Sequence, residues 1–112
     1  MDLIKNIIQM YRQSDHHVAT LAASIRNLDH LLYSLALGSD IITAPFSILK
    51  EWAEGEFQIP GADFVYEAGI LKNIPYQKLN LGNDWHEFNI SHELTDIGIE
   101  RFSNDWNALI KT

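Results

Sequence analysis

The chain has 112 residues, a net charge of −7 and a pI near 5.0: enough for one small domain, and the wrong overall sign for a nucleic-acid or anionic-membrane surface. It has no cysteine, which excludes disulfides and thiolate metal sites and fits a cytoplasmic setting. No apolar run approaches a membrane span, and Asp2 interrupts any basic-then-apolar leader pattern.

Residues 2–13 read as a helix. Leu3, Ile4, Ile7, Ile8 and Tyr11 recur at helical spacing, with Asp2 and Arg12 each at the end that the helix dipole favours. Gln13, Ser14 and Asp15 form a loop. His16 and His17 are adjacent, so on a strand they point to opposite faces; they read as loop and strand start, not as a metal pair. Val18 to Ala23 is apolar apart from Thr20, the pattern of a parallel strand covered on both faces. A helix follows over residues 28–37, with Leu28, Leu31, Leu32, Leu35 and Ala36 at helical spacing, Asn27 as N-cap and Asp29 in the first turn. Gly38 stands at the stop. Ile41 to Ala44 is a second apolar strand. Two short strands joined by a helix predict a parallel strand–helix–strand unit.

Pro45 opens the next helix. Phe46, Leu49, Trp52 and Ala53 form its apolar side, and Gly55 ends it. An irregular arm covers about residues 56–93, with a turn or short helix within Ile59–Leu71. Its aromatic and aliphatic residues, including Phe64, Tyr66, Ile74, Tyr76 and Trp85, point to an arm laid over a surface. A last helix runs from Thr95, as N-cap, to Ile110. Ile99, Phe102, Trp106, Leu109 and Ile110 form its predicted buried stripe, and Gly98 weakens it slightly. There is no internal repeat, no low-complexity run and no separate second domain.

Chemistry concentrates at the end of the first strand. Ser24 and Arg26 lie two residues apart and project to one side if the strand stays extended. Arginine offers a planar donor fork to phosphate oxygens, serine adds a hydroxyl, and the amides that start the next helix add further donors. The plainer alternative is a turn serine beside a merely exposed arginine; another is a structural ion pair of Arg26 with Asp29. Thr43 on the second strand is read as structural. His86, Glu87, His92 and Glu93 lack metal-ligand spacing, and Asp105 reads as an exposed acid beside Trp106.

The stretches LAASIRN and GSDIITAPFSIL, with a helix between them, resemble the last strand–helix–strand unit of the transaldolase and fructose-6-phosphate aldolase family. That family carries an (A/G)-A-S-(F/V/I)-(R/K) strand end and a G-x-D-x-(I/L)-T-x-(P/A) strand. The tail LTDIGIERFSNDWNAL resembles the family's final helix. The resemblance implies the fold class: α/β, the C-terminal part of a TIM-type (β/α)8 barrel, about its last two strands and their helices, with the irregular arm before the final helix. A complete barrel typically takes about 250 residues. The resemblance further implies that Ser24 and Arg26 bind the substrate phosphate and that no metal or organic cofactor takes part. The family reaction is aldol cleavage and transfer of a dihydroxyacetone unit between sugar phosphates, through a lysine Schiff base.

The lysine is the missing part. A Schiff-base lysine needs burial or a neighbouring cation to lose its proton. Lys5, Lys50, Lys72, Lys78 and Lys111 all lie outside the apolar strands. By resemblance, the strands carrying the lysine and its acid would precede Met1. Two functional classes follow. The chain is a piece of an enzyme, inactive alone, either a truncated product or one half of a split barrel, that binds sugar phosphate weakly. The alternative is a non-catalytic interaction module derived from the barrel. In either class it is expected as a homo-oligomer or with a complementary barrel half, and a self-contained oligomer would favour the second class. Neither implies nucleic acid or membrane as a partner.

Overall fold

The computed structural model describes residues 1–14, 16–61 and 63–111; Asp15, placed above in the first loop, lies outside them. It is an α/β chain with four α-helices and one pair of parallel strands. It divides into two compact units, residues 1–78 and 79–112.

The first unit begins with α1 (Asp2–Gln13), whose bounds are those the apolar spacing predicts. Ile8 is its buried residue, and Leu3 is exposed. Arg12 in its last turn reaches across to the next helix and donates from Nη2 to the Leu37 carbonyl at 3.0 Å. A cation thus meets the negative end of a second helix.

β1 (Leu21–Ala22) pairs in parallel with β2 (Ile41–Ile42), Leu21 opposite Ile41 and Ala22 opposite Ile42. The parallel pairing matches the expectation, but the strands are shorter than the runs 18–23 and 41–44. The Ile41 amide bonds the Thr20 carbonyl and the Thr43 amide bonds the Ala22 carbonyl, which accounts for the ladder's main-chain links on this side. The other departure is coverage. Ala22 is buried, but Leu21 and Ile41 are each 50% exposed. A parallel strand is stabilised by neighbours on both edges and layers on both faces; among the described residues these two strands pair only with each other, and one side of each is left open.

The crossover is α2 (Leu28–Leu37), held at both ends by the local signals read from sequence. The Asn27 side chain accepts the His30 amide at 2.8 Å, and Gly38 adopts the left-handed conformation at φ 75°. α2 contributes Leu31 to a small core with Ile25 and Ile48; Leu28, Leu35, Ile42, Ala44 and Trp52 pack around it. The fully buried Ser34 returns its hydroxyl to the His30 carbonyl at 2.8 Å, so no polar group is stranded there.

α3 (Phe46–Glu54) has the predicted length, with Pro45 as N-cap and Gly55 just after it. Its buried face is the predicted one only in part. Ile48 and Trp52, one turn apart, enter the core, while Phe46 is 80% exposed. After it, Glu56 and Phe57 both take positive φ. This turn brings the Phe57 ring edge-on to Trp52 at 5.2 Å, and the Trp52 indole donates to the Gln58 carbonyl at 2.8 Å.

Residues 58–78 contain no helix or strand among those described. The expected arm laid over a surface holds only in part: segments around Tyr66 and Ile74 touch α2 and α1, while Ile59, Val65, Ile70 and Leu71 stay exposed. Tyr66 stacks on Tyr33 at 5.1 Å, and Phe64 lies near the same ring. Further along, the Asp2 carboxylate accepts the Ile74 amide at 2.9 Å, the Asn6 side chain donates to the Ile74 carbonyl, and the Tyr76 hydroxyl meets Gln13.

The second unit holds a 3₁₀ turn, Trp85–Glu87, and α4 (Glu93–Ile110). α4 starts two residues before the predicted Thr95. His92 is its N-cap, its ring accepting the Leu94 amide at 3.2 Å, and Ser91 donates to Asp96 at 3.0 Å. The apolar stripe expected to be buried is not: Ile99, Phe102, Trp106, Leu109 and Ile110 are all exposed. No described helix is long and apolar enough to cross a membrane.

Candidate functional site

Parallel pairing brings the C-terminal ends of β1 and β2 together, and with them Ser24, Arg26 and Thr43. The extended chain that would have aligned Ser24 and Arg26 ends at Ala22. Ser24 has a φ of 57°, in the left-handed region, a conformation unfavourable for a residue with a Cβ. An in-and-out pattern nevertheless persists. Ile25 is 4% exposed and locked against Leu31 and Ile48, while Ser24 and Arg26 on either side are exposed. The buried isoleucine anchors the segment, and its polar neighbours remain accessible beside the start of α2.

The polar groups of this corner divide into used and available. The His30 amide is taken by the Asn27 cap, and the Arg26 amide donates to His30 Nδ1 at 3.4 Å. The Leu28 and Asp29 amides, in the first turn of α2, have no partner within the helix by its geometry. Ser24 and Arg26, both exposed, precede these amides in the chain by two to five residues. Thr43 is exposed, and its main-chain amide donates to the Ala22 carbonyl at 3.0 Å.

His30 and Tyr66 stand beside this corner, and sequence reasoning did not single them out for it. His30 Nε2 lies 3.1 Å from the Tyr66 hydroxyl. The His30 pKa is lowered, first by burial, then by the Met1 ammonium and Arg26, against the opposing pull of Asp29. The only sequence signal is a histidine in the first turn of α2, four residues after Arg26.

The other polar clusters have structural uses. A shallow cavity at the opposite, N-terminal ends of the strands is bordered by Tyr11, Arg12, His16, Thr20 and Asp40. There Asp40 accepts the Thr20 amide and Arg12 is bonded to Leu37. Asp84 accepts both the amide and the ring of His86, which hold its carboxyl below the usual carboxylate range, the amide contributing most. Among the described residues no three His, Asp or Glu side chains group to hold a metal ion. The five lysines are exposed, and neither strand contains one.

A parallel strand–helix–strand unit with hydroxyl, guanidinium and helix-start donors at its strand ends is the layout on which α/β proteins bind phosphate. The chain belongs to the transaldolase/fructose-6-phosphate aldolase family, whose model, described as "Transaldolase/Fructose-6-phosphate aldolase", matches residues 1–112. It is 33% identical over 108 residues to a "Probable transaldolase" of Roseiflexus sp. (strain RS-1), covering 96% of this chain and 33% of that protein. A "Probable transaldolase" of Roseiflexus castenholzii is 32% identical over the same shares. One from Thermodesulfovibrio yellowstonii is 29% identical, over 99% of this chain and 35% of the relative. The chain thus spans about a third of the length of the curated relatives it matches. No solved structure matches it at a significant level.

Proposed function

We propose that this chain supplies the closing, C-terminal strand–helix–strand unit of a transaldolase-like (β/α)8 barrel. Ser24, Arg26 and the first amides of α2 hold the phosphate of a sugar phosphate. The full assembly carries out Schiff-base aldol cleavage and transfer of a dihydroxyacetone unit. The chain alone has no lysine in its strands, so it is inactive until the lysine-bearing strands join it, as a complementary barrel half. The observation that carries this reading is Ile25, buried between two exposed residues of the phosphate-binding type at the strand end.

Grafting tests it. This chain would replace the matched third of the Roseiflexus sp. RS-1 relative. The reading expects a folded chimera, by circular dichroism, with measurable aldol turnover. Arg26→Ala in the chimera should raise KM for a sugar phosphate at least about tenfold, as loss of a charge-assisted contact would. A folded chimera in which Arg26→Ala leaves KM unchanged would overturn the phosphate role.

A second reading is a non-catalytic interaction module, as a homo-oligomer. What favours it is α4, whose Phe102 and Trp106 are 72% and 64% exposed, more apolar surface than a solitary helix usually presents to water.

A further inference from the structure

We propose that His30 is a positioning residue for the anion corner: its neutral ring joins the Arg26 main chain to the arm through Tyr66. This rests on the phosphate-site reading above, although the linkage itself can be measured without any anion.

The geometry defines the ring's state. The Arg26 amide approaches Nδ1 at 3.4 Å. An amide N–H only donates, so Nδ1 is the accepting nitrogen and carries no proton. In a neutral imidazole the proton is then on Nε2. Nε2 lies 3.1 Å from the Tyr66 hydroxyl oxygen, which accepts that proton's hydrogen bond. One ring thus joins two segments that are 40 residues apart in sequence (Arg26 and Tyr66). Tyr66 is itself fixed by stacking on Tyr33, on the same helix as His30.

The consequence for the corner is directional. With its amide drawn to His30, the main chain at Arg26 is held one residue after buried Ile25, and the guanidinium leaves from a fixed base. Protonation makes both ring nitrogens donors. The Arg26 amide then faces another donor, and that contact is lost. The charged groups acting on the ring are the Met1 ammonium just ahead of α1, Arg26 from the strand end and Asp29 from α2; Tyr66 faces it from the arm. Burial and the two cations outweigh Asp29 and keep the ring neutral to lower pH than an ordinary histidine. The sign follows. A histidine whose folded pKa is depressed stabilises the fold above the unfolded pKa, near 6.5, and that contribution is lost as pH falls from there through the lowered folded value.

The experiment is NMR of the intact chain, wild type against Tyr66→Phe, His30→Asn and His30→Ala, from pH 8 to pH 5, with and without inorganic phosphate. Long-range proton–nitrogen spectra should show His30 almost wholly as the Nε2–H tautomer. The Arg26 amide should titrate with the same midpoint as the His30 ring, below 6.5. Tyr66→Phe should leave Nδ1 as acceptor but speed solvent exchange of the Nε2 proton several-fold. His30→Asn, whose side-chain oxygen can stand near the Nδ1 position, should keep the Arg26 amide shift better than His30→Ala. Phosphate should bind several-fold more weakly to His30→Ala than to His30→Asn. A mixed-tautomer ring, or an Arg26 amide that ignores the His30 titration, would overturn the linkage. If phosphate leaves Ser24 and Arg26 unshifted in the wild type, the phosphate site fails, and the positioning role falls with it even where the ring contacts are found.

Discussion

The Asp40 carboxylate accepts the main-chain amide of Thr20 at 2.7 Å, while the Ile41 amide, one residue on, donates to the Thr20 carbonyl. The start of one strand is therefore tied to the approach of the other by both main-chain polar groups of Thr20. Thr20 is buried, so its amide loses its charged acceptor if Asp40 is removed. Asp40→Ala should destabilise the first unit by about 1.5–3 kcal/mol, the usual range for a hydrogen bond to a charged group. Asp40→Asn keeps an acceptor oxygen and should cost less. Thermal melts of the three proteins check the order; equal midpoints for Asp40→Ala and wild type would mean that the carboxylate is dispensable.

Gly38 should be the most sensitive glycine. Its φ of 75° is left-handed, and an added Cβ would stand 3.1 Å from Arg12 Nη2, the group that caps α2. Gly38→Ala should cost about 1–2 kcal/mol from the backbone alone, with a further loss if Arg12 is pushed off the Leu37 carbonyl. Arg12→Gln, which removes the charge but not the glycine, should cost no more than about 1 kcal/mol. Circular dichroism melts of both variants make the comparison.

These two positions also show what the sequence made legible. Helices announced themselves because their signals are local: Asn27 and Gly38 bound α2, and the bounds of α1 and α3 follow from Asp2–Gln13 and Phe46–Glu54. Strand length did not, because a ladder's extent depends on partners far away in sequence, and among the described residues β1 and β2 pair only with each other. The stripe of Phe46, Leu49, Trp52 and Ala53 predicts the buried face of α3 only in part: Trp52 packs on the core, but Ile48, not Phe46 or Leu49, fills the space beside Ile25 and Leu31. The start of α4 was missed because histidine is not a usual N-cap, yet His92 performs that role with its ring. At the site, Ser24 and Arg26 were legible as a motif. The contact of His30 with Tyr66 spans 36 residues and has no sequence signature.

The chain alone should form no Schiff base. All five lysines are exposed, and Lys50 is held near Glu54 across one helical turn at 3.7 Å. None of these settings encloses a lysine in an apolar strand, where the family's Schiff-base lysine is expected. Borohydride reduction with a ketose phosphate, followed by intact mass measurement, should leave the mass unchanged. A stoichiometric adduct on one lysine would show that the chain carries its own catalyst.

α4 should be the seat of assembly. Phe102 and Trp106, one turn apart, are largely exposed, and Arg101 pairs only loosely with Asp105, at 4.0 Å. Light scattering at low micromolar concentration should report a species larger than the monomer. Phe102→Glu together with Trp106→Glu should return it to monomer mass while leaving the helix content nearly unchanged, since neither side chain is buried in the chain itself. A cooperative wild-type monomer would rule this out.

Arg26 should control anion binding without supporting the fold. Its neighbour Ile25 carries the packing, and Arg26 itself is exposed. A charge-assisted hydrogen bond contributes about 1.5–3 kcal/mol. With a few amides added, the binding free energy is on the order of −4 kcal/mol, or millimolar affinity for inorganic phosphate. Arg26→Ala should abolish the phosphate-induced shifts at Ser24, Leu28 and Asp29 and leave the melting temperature within about a degree or two, as for most exposed substitutions. The competing role is an ion pair with Asp29 across the first turn of α2. It predicts the reverse: a lower melting temperature and unchanged phosphate shifts. A sulfate titration separates charge recognition from general ionic strength, because sodium chloride at matched ionic strength screens the corner without offering it an oxyanion. If chloride reproduced the sulfate shifts, Arg26 would be a screened surface charge and not a phosphate ligand.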